Sequence, residues 1–175
     1  MRLIVYLVAI VLANVVTAKF APLELGIFLI PMGSFLIGAT FIFRDLVQNK
    51  YGKTKTYLFI LLALILSAIS SSLLGDTLWI VFASALSFAV SETTDTEIYS
   101  RLKLPMNLRV LYSGLIGGFL DSAIFVVVGL SPIGAGILPW NVIWMAVLGQ
   151  VVVKTIMQFL GVLVLQLASV RKEVY

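Results

Sequence analysis

Residues 111–130 read LYSGLIGGFLDSAIFVVVGL, twenty positions with one charged side chain, Asp121. That length and apolarity match the about 20 residues a helix needs to cross roughly 30 Å of hydrocarbon. An acid near the centre of such a run is costly, so the stretch points to both the class of the protein and the place of its chemistry. Five further apolar runs surround it, at 3–17, 26–43, 57–74, 78–90 with a polar continuation, and 140–167. The 175 residues are 61% hydrophobic and 11% charged, against roughly 45–50% and about 25% in an ordinary soluble domain. The apolarity runs all round each segment, which lipid-facing helices permit and barrel strands do not. The expected fold is all-α, a polytopic six-transmembrane-helix bundle that fills 1–175 as a single domain. Met1-Arg2 before an apolar run is read as the start of a retained first span, because no small-residue cleavage site precedes Lys19.

This composition removes several function classes. No soluble catalytic or nucleotide-binding domain fits beside six spans. Cysteine and histidine are both absent, which removes thiolate and imidazole metal sites and any nucleophile that relies on a histidine base. A G-x-x-x-x-G-K-[ST] phosphate loop is also missing. The expectation is a chain that is not an enzyme and has no cofactor and no metal. Twelve Lys/Arg against eight Asp/Glu give a net charge of +4. In a membrane protein that balance reflects topology rather than a nucleic-acid partner. Arg2, the set Arg44, Lys50, Lys53 and Lys55, the set Arg101, Lys103 and Arg109, and Arg171 with Lys172 fall on one side, which places both termini in the cytoplasm. The opposite side has only Lys19, its loops 76–79 and 131–139 carry no Lys or Arg, and Trp79, Trp140 and Trp144 are expected at the outer interface.

The candidate site residues are the polar groups inside these spans. Asp121 is nine residues from Leu130 and Lys154 is ten from Trp144, so both lie about 13–15 Å below the outer interface. Opposite charges at equal depth are expected to face each other or a shared cavity, either as a binding site or as a structural ion pair. Gln150 and Gln158 flank Lys154 on the same helical face. In the fourth run Ser84, Ser87, Ser91 and Asp95 share one face with Glu92 beside them, which reads as a cavity lining, while Glu97 reads as a solvated helix end. Pro31 and Gly33 open a kink or break in the second span. Asn14 is a lone polar residue in the first, either interhelical glue or a substrate contact. Gly114, Gly118 and Ser122 form a small-residue stripe suited to tight packing or to a flat ligand. Phe43, Phe125 and Phe159 are the aromatic platforms available for stacking.

Together these residues resemble the vitamin uptake transporter family, whose members include queuosine precursor transporters. Asp45, Tyr51 and Gly52 resemble that family's D-x-x-x-E-x-Y-G signature, with Asn49 at the usual acid. Glu92 to Tyr99 followed by Arg101-Leu102-Lys103 resembles its Q-x-x-D stretch and basic loop, with Glu92 at the glutamine. Arg109, Ser113, Asp121-Ser122 and Phe125 resemble its R-x3-S-x7-D-[ST] pattern, and Lys154 its intramembrane lysine; the proline expected after that lysine is missing, with Gly161 nearby instead. The resemblance implies import of a small-molecule 7-deazaguanine, cyano- or aminomethyl-substituted, across the cytoplasmic membrane. It also implies a helix count similar to the substrate-binding subunits of energy-coupling-factor transporters.

On this reading the substrate residues are Asn14, Asp45, Glu92, Asp95, Asp121, Ser122 and Lys154, with Asp45 and Glu92 near the cytoplasmic mouth. Transport is expected to be secondary or facilitated. A carboxylate accepts the adjacent N1–H and NH2 donors of a guanine edge, and O6 takes a donor such as Lys or Asn. Partners are the ligand and the lipid bilayer. A homo-oligomer and an ATPase partner stay open, as does a non-transporting membrane scaffold in which the charges only fix packing.

Overall fold

The computed structural model of the chain describes residues 2–20, 22–26 and 28–173, without the side chains of Leu25, Leu29 and residues 168–173. Arg171 and Lys172, counted above with the cytoplasmic charge, are among the side chains outside the described ones.

Six α-helices make up the described chain: α1 (Arg2–Lys19), α2 (Gly33–Tyr51), α3 (Lys53–Leu73), α4 (Leu78–Arg101), α5 (Met106–Ile124) and α6 (Trp140–Glu173). α5 continues into a π-helical segment at Phe125–Leu130. α1, α3, α5 with its π segment, and α6 are each long and apolar enough to cross a membrane. α2 and α4 fall short of that apolarity because Arg44-Asp45 and Glu92-Asp95 interrupt them, and the fold buries all four side chains.

The punctuation of these elements is local. α2 and α3 are joined by Gly52 alone, whose φ of 81° lies in the region that side chains disfavour. Thr77 caps α4 by accepting the Ile80 N–H at 3.4 Å. Pro105 precedes α5, where its missing N–H costs nothing. The Ser131 N–H donates to the Val126 carbonyl, five residues back, which is the π spacing.

The second span needs correction. Only its part from Gly33 is helical. Residues before it form an antiparallel hairpin, β1 (Leu23–Leu25) with β2 (Phe28–Ile30), in the register Leu23 to Ile30. Pro22 and Pro31 bracket this hairpin, where a missing N–H breaks no ladder bond, so Pro31 ends a strand rather than kinking a helix. The hairpin packs on α6, with Phe28 and Ile30 against Gly149. The helix then runs to Tyr51, well past the expected end at Phe43.

Polarity is distributed inside out. The outer faces of α3 and α6 present Leu61, Ile65, Ile69, Val152, Ile156 and Leu163. The interior holds Arg44, Asp45, Glu92, Asp95, Gln150, Lys154 and Gln158 among tight apolar clusters such as Tyr6, Ile10, Val47 and Phe88. Lipid is as apolar as leucine, so polar and small side chains bring these helices together. With the apolar exterior and the spanning helices, this is a multi-pass membrane protein.

Candidate functional site

A cavity of about 290 Å³ lies inside the bundle, and all six helices contribute to its wall. That volume sits at the small end of ligand pockets, which run from roughly 300 to 1,000 Å³. Asp121 and Lys154 stand in the wall, and their expected pairing is present: Lys154 Nζ lies 2.6 Å from Asp121 Oδ2. The ammonium also donates to Ser122 Oγ at 2.8 Å and Gln150 Oε1 at 3.3 Å, so its three donors are all engaged. Ser122 lies behind the lysine rather than in the wall, and its own hydroxyl donates to the Gly118 carbonyl.

Two groups keep bonding capacity there. The Asp121 side chain retains 12% exposure in the cavity wall. Gln150 also lines the cavity, and its Nε2 is buried without a partner. An acceptor and a donor in one largely apolar wall are what a small planar molecule with donor and acceptor edges requires. Asn14 is in the wall as well, but its amide nitrogen is committed to α3 through Ser67 O and Oγ (3.1 and 3.0 Å) and Ser70 Oγ (2.7 Å). It is therefore interhelical glue that leaves only its carbonyl oxygen to a ligand.

The other three expected site residues are elsewhere. Asp45, Glu92 and Asp95 converge on Arg44, each almost wholly buried and none in the cavity wall. Arg44 pairs with Asp95 through Nη2, with Asp45 at 3.1 Å and with Glu92 at 3.4 Å. Its Nη1 donates to Thr96 Oγ1 at 2.7 Å. Two expectations change with this: Arg44 is not a loop charge at the cytoplasmic surface, and the α4 face does not stay a cavity lining as far as Glu92 and Asp95. The helical periodicity was correct, but α2 covers that part of the face. The sign in sequence is that Leu46 and Val47 follow Arg44-Asp45, so the helix continues after the charge.

Glu97 sits half-exposed at the end of α4, bound by Lys53 at 2.7 Å, Arg101 at 3.4 Å and the Tyr57 hydroxyl at 2.5 Å. Of the three aromatic platforms, Phe125 lines the cavity, Phe43 packs in the Tyr6 cluster and Phe159 is 49% exposed on the outer face of α6. Phe88 and Asp76 are wall residues that sequence reasoning passed over. Asp76, in the loop between α3 and α4, lines the cavity and accepts a hydrogen bond from Ser71. The small-residue stripe serves close packing, with Gly114 against Gln158 and Gly118 against Lys154. Gln158 donates to the Val110 carbonyl at 2.7 Å, which ties α6 to α5.

No curated protein and no solved structure matches the chain. Residues 70–168 match the family described as "Putative vitamin uptake transporter", and this stretch runs from the end of α3 into α6 and carries Glu92, Asp95, Asp121, Gln150 and Lys154. With more than half of its length inside that match, a multi-pass architecture and a cavity that carries Asp121 and Lys154 in its wall, the chain belongs to the vitamin uptake transporter family.

Proposed function

We propose that the protein imports a queuosine precursor, a 7-deazaguanine carrying a cyano or aminomethyl group, across the cytoplasmic membrane, as a carrier that needs no ATPase. On this proposal all six helices span the bilayer as one transmembrane unit, with both termini cytoplasmic and the hairpin at the outer end. The observation that carries it is the combination of the Asp121 carboxylate and the unpartnered Gln150 amide in one wall of a cavity sized for a small heterocycle. The carboxylate accepts the paired N1–H and NH2 donors of the guanine edge, and the amide donates to O6. Lys154, spent on Asp121, Ser122 and Gln150, holds the carboxylate in place rather than meeting the ligand itself. Phe125 and Phe88 supply apolar walls on which a planar ring stacks. Alternating access then opens this mid-depth site to either side.

Uptake of labelled deazaguanine into cells unable to make it tests the reading. Wild type restores uptake, whereas Asp121→Asn and Lys154→Met abolish it at unchanged membrane abundance. Unimpaired uptake by both variants would remove the site assignment. Purified protein in liposomes should exchange internal for external ligand unaided, and failure there despite uptake in cells would show that an energising partner is required.

A further inference from the structure

Outside the cavity, Arg44, Asp45, Glu92 and Asp95 make a second buried centre. Three carboxylates face one guanidinium, which leaves a formal charge of −2 in the bundle interior. Arg109, the next cation, lies within electrostatic reach of Asp45 without pairing with it: its guanidinium lies 3.9 Å from the centre of the Tyr99 ring and donates to the Tyr99 carbonyl at 2.9 Å. Burying charge without a counter-charge is prohibitive, so such a site neutralises itself by taking up a cation or protons.

An independent feature points the same way. Two fully buried hydroxyls are directed into the centre, Tyr6 from α1 toward Glu92 and Ser113 from α5 toward Asp95. The Asp45 oxygen outside its ion pair, Oδ2, is buried without a hydrogen-bond partner. These are positions where a hydrogen can be shared between oxygens. A metal ion suits the place poorly, because the guanidinium already contacts all three carboxylates, and among the described residues no group of acids converges as a metal site.

We propose that this centre is the proton-coupling site of the transporter, with the Glu92 carboxyl taking up and releasing the transported proton. Glu92 is the acid Arg44 holds most loosely, through Nε at 3.4 Å. It stands one helical turn beyond Phe88, which is part of the cavity wall. The step is a simple one: the carboxylate gains a proton from water that enters by the cavity, becomes a neutral acid, and returns the proton to the other side when the bundle reopens.

The groups facing Glu92 are Tyr6 on α1, Arg44 and Asp45 on α2, Asp95 on α4 and Asp121 on α5, the last held by Lys154 of α6. α3 directs Tyr57 and Lys53 to Glu97 instead. Communication with the ligand is short, because α5 is thin between the two centres. Gly117 lies against Asp95 and Phe41, and the next residue, Gly118, lies against Lys154 and the same Phe41 ring.

The word "transported" rests on the import reading; proton binding does not. Infrared difference spectra of the purified protein between acid and alkaline pH, without ligand, should show a protonated-carboxyl band that is missing in Glu92→Gln and shifted in Glu92→Asp. Identical spectra for wild type and Glu92→Gln overturn the proposal. In proteoliposomes an inward proton gradient should drive accumulation of the deazaguanine and acidify the lumen. Glu92→Gln should lose both while ligand exchange persists, a separation that a merely structural role would not produce. Accumulation driven by sodium and indifferent to pH overturns the assignment. Absence of exchange in the wild type counts against the import reading alone, and the spectra then decide the proton site.

Discussion

Lys154 illustrates how one buried cation is balanced. It satisfies its three donors on Asp121, Ser122 and Gln150, so loss of the acid leaves an ammonium in the bundle with two neutral acceptors. Breaking a buried pair from one side costs roughly 3–5 kcal/mol, whereas replacing both partners with apolar groups is often neutral. Asp121→Leu is therefore expected to lower unfolding stability in mild detergent by about that amount, and Asp121→Leu with Lys154→Leu to regain most of it. Ligand-induced thermal stabilisation should be absent from both, which separates binding from folding; a double variant that still binds would mark the pair as a packing device. Gln150→Leu removes the unpartnered donor together with one of the three acceptors of the Lys154 ammonium. It should weaken ligand binding about tenfold, as expected for loss of one hydrogen bond to the ligand, and lower stability by about 1–3 kcal/mol for the ammonium donor left unpaired, both measured by the same thermal shift.

The helices meet where side chains are smallest. A Cβ at Gly38 would come within 2.8 Å of Met157 Cβ and 3.1 Å of Lys154 Cα, whereas one at Gly118 would find its nearest neighbour at 3.6 Å. Gly38→Ala should force α2 from α6 beside the lysine and cost about 1–3 kcal/mol, while Gly118→Ala should be tolerated. Denaturant unfolding of the two variants in parallel checks the contrast, and equal losses would refute the packing account. The second run, whose start was placed wrongly, and the π segment that closes the fifth are also explained at this scale. Residues 23–30 are as apolar as a span, yet a glycine turn at Gly26 and a proline on each side make them a hairpin. The end of the fifth run keeps the hydropathy of a helix but closes with π spacing around Phe125, a difference of hydrogen-bond partner to which hydropathy is blind.

For the whole molecule, the distribution of basic residues makes the orientation testable on a background free of cysteine. Lys50→Cys and Ile133→Cys both lie on exposed positions at opposite ends of the bundle's connections. An impermeant thiol reagent added to intact cells should label the second and leave the first until the membrane is opened. Labelling of both from outside would overturn the topology.

The sequence by itself determined that the chain is a bundle of membrane helices and that Asp121 and Lys154 share a depth, because hydropathy and the helical rise are additive along the chain. It also contained the periodic face of α4, since residues spaced by three or four share a side wherever the helix is placed. Tertiary structure alone decided that Arg44 belongs to the interior, that Glu92 and Asp95 turn to it instead of to the cavity, and that Asp76 and Gln150 line the cavity. The physical reason is that partnership between charges depends on which helix faces cover one another, and one chain's pattern of residues is compatible with several such arrangements. Only the packed bundle selects the arrangement in which the buried groups are best satisfied.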